Sequence, residues 1–128
     1  MPIELAARLS GILGLHTQTP QDCWFAVWEG WGDLRLPHRT TTVLPVPQRT
    51  MFMHQGSIDA VLTNLSVSWN YRSPNLWWPD DRSWCVATEI EFRWTYVGGS
   101  VKCIDDILRD PEMEAIPMSA QQLNLMLP

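Results

Sequence analysis

A chain of 128 residues with 45% hydrophobic content is long enough to form one domain around its own core, without a metal or disulfide to hold it. A net charge of -5 supplies no basic patch to displace counterions from nucleic acid or to hold an anionic membrane, which excludes both as partners. Cys23, Cys85 and Cys103 are odd in number, widely spaced and set in apolar stretches, so they read as buried free thiols rather than a disulfide framework or zinc site.

The first predicted element is a helix from Ile3 to about Leu13, where Leu5, Leu9, Ile12 and Leu13 form a stripe and Gly14 supplies the stop. It begins so abruptly that a segment upstream of residue 1 is expected. Thr19-Pro20-Gln21-Asp22 combines a capping threonine, proline at the first helical position and an early carboxylate, which predicts a single helical turn. Cys23 to Trp31 then reads as a strand, with Trp24, Ala26 and Trp28 opposite Phe25, Val27, Glu29 and Trp31. Both of its faces are largely apolar, as in an interior strand covered on both sides. Pro37, Pro45 and Pro47 restrict Leu34 to Gln48 to one short edge strand around Thr40 to Leu44.

Arg49 to Gln55 is the next strand. Ser57 caps a short helix with Ile58, Val61, Leu62 and Leu65 at helical spacing, and Val67, Trp69 and Tyr71 alternate like a strand afterwards. Pro74 and Pro79 stiffen Asn75-Leu76-Trp77-Trp78 into a loop that presents both indoles. Trp84 to Val97 reads as the longest strand, with Val86, Thr88, Ile90, Phe92, Trp94 and Tyr96 on its core face. Gly98-Gly99 turns the chain, and Ser100 caps a helix bearing Val101, Ile104, Ile107 and Leu108 that stops before Pro111. Met113 to Ile116 suggests a short final strand. The tail ends in Leu123, Leu125, Met126 and Leu127, an apolar run suited to docking. Together these elements predict a single α+β domain, 1–128, with a mainly antiparallel sheet and about three short helices in one layer packed on it. With no export signal and no run of 18 apolar residues, the cytoplasm is the expected compartment.

The strings PNLWWPDDRSWCVATEI, TYVGGS and DCWFAVWEGWG resemble a group of small actinobacterial proteins over most of residues 19–117. The resemblance implies a bacterial cytosolic single-domain protein. It brings no activity, cofactor or catalytic residue.

Eight tryptophans are several times ordinary usage. An indole offers a flat apolar face and one donor, which suits stacking on sugars, cations or a partner's side chains, although a tryptophan-rich core makes the same demand on composition. Trp77 and Trp78 are expected to be exposed, because neighbours in a loop cannot both enter one core. Asp80-Asp81-Arg82 after Pro79 makes the far side of that loop charged and reads first as turn chemistry. Glu29, between Trp28 and Gly30, has apolar surroundings and would need Arg82 or Arg93 as a partner if buried. Glu89 and Glu91 share a strand face at a separation usable for glycoside acid-base chemistry, yet charges alternating with a core face are far more often solvated. His16, His38 and His54 are not at metal-ligand spacing, and no phosphate loop or nucleophile elbow is present. Gly98-Gly99-Ser100 could hold an anion only as weakly as any strand-to-helix turn.

The residues therefore point to no catalytic set, metal or cofactor. The leading reading is a non-catalytic interaction protein, immunity-type or regulatory, whose partner is another protein or a second copy. It uses an exposed apolar patch at Trp77 and Trp78, with Asp80, Asp81, Arg82 and Glu29 nearby. A small-molecule or carbohydrate-binding pocket lined by tryptophan is the alternative, followed by a carboxylate-dependent hydrolase.

Overall fold

Alternation along β1 (Cys23–Trp28) sends Cys23, Phe25 and Val27 to one side and Trp24, Ala26 and Trp28 to the other, and the sheet is built outward from it. The computed structural model describes residues 1–37, 42–47, 49–90, 94–119 and 121–122, with only the backbone described at 42, 43, 45 and 46. The described strands form one six-stranded sheet in the order β2 (Thr42–Val46), β3 (Arg49–Gly56), β1, β4 (Leu76–Pro79), β5 (Trp84–Thr88), β6 (Thr95–Gly99). Every neighbouring pair is antiparallel. α1 (Ile3–Leu13) and α2 (Val101–Leu108) accompany it, with 3-10 turns at Gly14–His16 and Ile58–Leu62. The α+β class with an antiparallel sheet is as the sequence predicts. Two α-helices and two 3-10 turns stand where about three helices were expected, because Ser57 opens a 3-10 turn rather than an α-helix.

The helices cover one face. Ala6, Leu9 and Leu13 of α1, Cys103 and Ile107 of α2, and Ile58 and Val61 pack on Phe25, Trp77, Trp84 and Val86. Register supplies the order beneath them: Phe25 lies between His54 on β3 and Trp77 on β4. Its ring stacks on both, with centroids 5.2 and 6.3 Å away, and Trp77 meets Trp84 edge-on at 5.3 Å. Trp84 Nε1 donates to the Leu13 carbonyl at 3.0 Å, which ties the end of α1 to this aromatic row. Each large side chain buried here contributes about 1.5–3 kcal/mol.

Several expectations fail for local reasons. Trp84 to Val97 is a hairpin of β5 and β6, not one strand; its connection carries no glycine or proline to mark it. Glu89 stands where β5 ends, its N–H donating to the Trp94 carbonyl and its Oε1 accepting from the Ile90 N–H and from Arg49. The reversal puts Val97 beside Val86 on the helix side, Tyr96 beside Ala87 on the other, and leaves Trp94 53% exposed rather than in the core. Gly98 and Gly99 accordingly lie within β6, where a Cβ on Gly99 would fall 3.3 Å from Cys103 Sγ. Val67, Trp69 and Tyr71 form no strand, and Trp69 is 91% exposed. Met113 to Ile116 is also irregular, and Thr19 to Asp22 is a turn closed by the Asp22 N–H on the Thr19 carbonyl. Ser100 does cap α2, accepting from Cys103 N–H at 3.1 Å. The apolar tail from Leu123, together with Phe92, lies outside the described residues.

Truncating Trp77 opens the aromatic row, so Trp77→Ala is expected to cost about 3–5 kcal/mol, whereas Trp94→Ala should stay within about 0.5 kcal/mol. Urea denaturation of both variants checks the contrast. His54 is 4% exposed, its Nδ1 meets no hydrogen-bond partner among the described residues, and burial pushes its imidazole below the usual 6.5. The unfolded chain takes up that proton as the pH falls through about 6.5 and the native one does not, so stability should decline from about pH 7 to pH 5. His54→Phe keeps a ring on Phe25 and should flatten that part of the profile in urea titrations across the same range.

Candidate functional site

β4 settles where the paired indoles go. Leu76 to Pro79 is a strand paired to β1 on one side and β5 on the other, so Trp77 and Trp78 point to opposite faces. Trp77 is fully buried under the helices, which overturns its expected exposure in a loop. Pro74 precedes a short strand here and Pro79 ends it, instead of the two enforcing a loop. Trp78 is half-buried on the second face, directly opposite Trp24 of β1.

That second face is apolar. Ala26, Met51 and Met53 are buried there, and Trp24, Leu44, Leu76 and Trp78 pack against them half-exposed, with no residue of either helix in the cluster. Ala87 and Tyr96 continue it across β5 and β6. Cys85 shares their side of the sheet and is exposed, unlike the buried Cys23 and Cys103, so the reading of three buried thiols holds for two.

The charged turn adjoins Trp78. Pro79 to Arg82 closes with the Arg82 N–H on the Pro79 carbonyl at 2.9 Å, and Arg82 takes a left-handed backbone at φ 57, uncommon for a side chain with a Cβ. Asp80 is exposed, and its Oδ1 accepts from Trp24 Nε1 at 3.2 Å. Asp81 faces the other way and braces the chain before β1. Desolvation opposes its charge, but hydrogen bonds from Gln18 N–H and from Ser83 and Thr17 prevail and bring its carboxyl down to about 2. Arg82 is exposed at the close of the turn.

Glu29 does not join them. It is exposed just past the end of β1, whereas Asp80 and Arg82 follow Pro79, which pairs with Cys23 at the strand's start. A buried Glu29 paired with Arg82 is therefore ruled out by strand direction, and Arg93 lies outside the described residues. Glu89 forms an ion pair with Arg49 at 2.8 Å, and Glu91 also lies outside. β1 and β4 separate β3 from β5, a span of roughly 14 Å at ordinary strand spacing. The Arg49 and Glu89 side chains therefore reach across the sheet at the end opposite Asp80.

A second tryptophan assembly was not visible in the sequence. Trp28 and Trp31 meet edge-on at 5.4 Å, the Arg72 guanidinium lies 3.9 Å from the Trp31 ring centre, and Asp33 accepts from Arg72 Nε and Nη2 at 3.2 and 3.3 Å. Hydrogen bonds from Ser66 and then Arg72 hold the Asp33 carboxyl below its usual range. Asn75 Oδ1 accepts from both Trp31 Nε1 and Trp28 N–H. Only the Trp28-to-Trp31 spacing hinted at this; Arg72 arrives from a loop some forty residues on.

A hollow bounded by Pro2, Leu5, Arg8 and Glu112 lies on the helix layer, away from these tryptophans, and its Arg8 is engaged by Asp110 and Glu112. Among the described residues no three His, Cys, Asp or Glu side chains are placed to hold a metal, and no helix is long and apolar enough to cross a membrane. Comparison with protein-family models, curated proteins and solved structures finds no match for the chain.

Gly30 has no room for a side chain, since a Cβ there would fall 2.1 Å from Trp28 Cζ2. Gly30→Ala should expel that indole, cost about 1–3 kcal/mol, and alter the near-ultraviolet circular dichroism of the Trp28–Trp31 pair.

Proposed function

We propose that this protein is a non-catalytic interaction domain, of the immunity or regulatory kind, working in a bacterial cytoplasm and docking another protein through the second face of its sheet. The observation that carries the reading is the contrast between the faces. One is sealed by α1, α2 and a 3-10 turn, while the other presents half-exposed Trp24, Leu76 and Trp78 without a helix over them among the described residues. Apolar side chains gathered on one flat surface and bordered by charge suit a protein partner better than a small ligand, which would be enclosed. The pocket alternative needed Glu29, Asp80 and Arg82 to converge, and they stand at opposite ends of β1. The hydrolase alternative drew on Glu29, Glu89 or Glu91 in a pocket; Glu29 is exposed past the end of β1, Glu89 is engaged by Arg49, and Glu91 lies outside the described residues.

Affinity purification of the full chain from its own cells, followed by native mass spectrometry, tests the proposal. A stoichiometric protein partner is expected with wild type and should be lost with Trp78→Asp, which charges the surface without touching the helix-side core. A co-purifying small molecule with no protein would replace this reading with the pocket one.

A further inference from the structure

We infer that the corner formed by Trp24, Trp78 and Asp80 receives an arginine side chain from the docked protein; this rests on the interaction reading above and specifies its contact chemistry. The chain already contains one complete example of the arrangement. At Trp31 an indole face, a guanidinium and a carboxylate come together, with Arg72 over the ring at 3.9 Å and bonded to Asp33. A planar guanidinium can lie on an indole face while donating along its edge to a carboxylate, which an ammonium cannot do with the same geometry.

The corner on the second face repeats two of those three components. Trp24 and Trp78 are a direct cross-strand pair, and Asp80 follows Trp78 by two residues. Asp80 Oδ1 takes the Trp24 N–H at 3.2 Å, which fixes the indole by its edge and polarises it toward the carboxylate. Asp80 Oδ2 accepts no hydrogen bond from the described residues, and none of their arginines or lysines forms an ion pair with Asp80. The neighbourhood has excess negative charge to be matched. Asp22, Asp80 and Asp81 are exposed at this end, the Asp80 N–H bonds to the Asp22 carbonyl, and Arg82 is the lone cation in the turn. An arginine arriving with an apolar partner surface would meet complementary charge and two ring faces at once.

The test uses the isotopically labelled full chain and follows the indole N–H resonances, assigned by single Trp→Phe variants, during titration with N-acetyl-arginine amide. N-acetyl-norleucine amide serves as the uncharged probe of similar length. The arginine probe is expected to shift Trp24 and Trp78 in a saturable way and norleucine to leave them in place, with apparent affinity for arginine falling about two- to five-fold in Asp80→Asn. That substitution retains an oxygen acceptor for Trp24 Nε1, and Trp78→Leu provides a second variant that keeps the face apolar. Shifts with norleucine equal to those with arginine would overturn the cation assignment while leaving an apolar docking face in place. Arginine-induced shifts that persist undiminished in both variants, or that fail to reach Trp24 and Trp78, would overturn the corner as the site.

Discussion

The pairing of β4 with β1 is the constraint on which the rest of the molecule depends. It places Trp77 against Phe25 and Trp78 against Trp24, so two adjacent residues contribute to both sides of the sheet. The helix side becomes an aromatic row from His54 to Trp84, anchored to α1 through the Leu13 carbonyl. The other side becomes the surface on which Trp78 and Asp80 meet Trp24. A one-residue slip of β4 would exchange the two indoles' environments, exposing an aromatic core residue and burying a surface one. Core packing and the candidate site are therefore specified by the same register.

The elements most legible in the sequence are those whose signals are local. α1 needed only its apolar stripe, α2 its serine cap and the proline beyond, and β1 and β3 their alternation. The misread stretches are those whose decisive interactions come from elsewhere. The connection after β5 is held by the Glu89 side chain and Arg49, forty residues away in sequence, so nothing at Thr88 to Trp94 reads as a turn. The segment from Val67 to Tyr71 looks like an alternating strand. Its backbone is instead drawn into a loop, with Asn64 Oδ1 accepting from the N–H groups of Ser66 and Arg72 and with the Ser66 hydroxyl donating to Asp33. Side chains that satisfy backbone donors compete directly with the strand ladder.

The candidate site was legible in composition and only partly in position. Trp78 and Asp80 were identifiable, but which face each indole takes depends on whether Asn75 to Pro79 is loop or strand. Two prolines favour a loop until the neighbouring strands are known. Pro79 fits because it occupies the last position of β4, while Pro74 precedes the strand. Trp24 was hidden by its strand: an interior strand with apolar residues on both sides predicts burial on both, and only the uneven distribution of helices distinguishes the sides. Glu29 was misplaced for the converse reason, since apolar neighbours in sequence do not bury a residue that falls just beyond a strand's end.

Charge and aromatic surface are arranged differently at the two ends of the sheet. Near Trp31 and Trp28 two acids have partners: Asp33 holds Arg72, and Glu89 holds Arg49 across the intervening strands. Near Trp78 the turn sets Asp80 beside an indole and commits Asp81 to bracing the chain at Gln18, while Arg82 is exposed. A carboxylate fixed beside an indole is well hydrated when free and gains most when a cation and an apolar surface arrive together, because the water leaving the ring then accompanies the forming ion pair. At the first end Arg72 and Asp33 complete the indole–guanidinium–carboxylate arrangement within the chain, and at the second the indole and carboxylate stand without a guanidinium among the described residues.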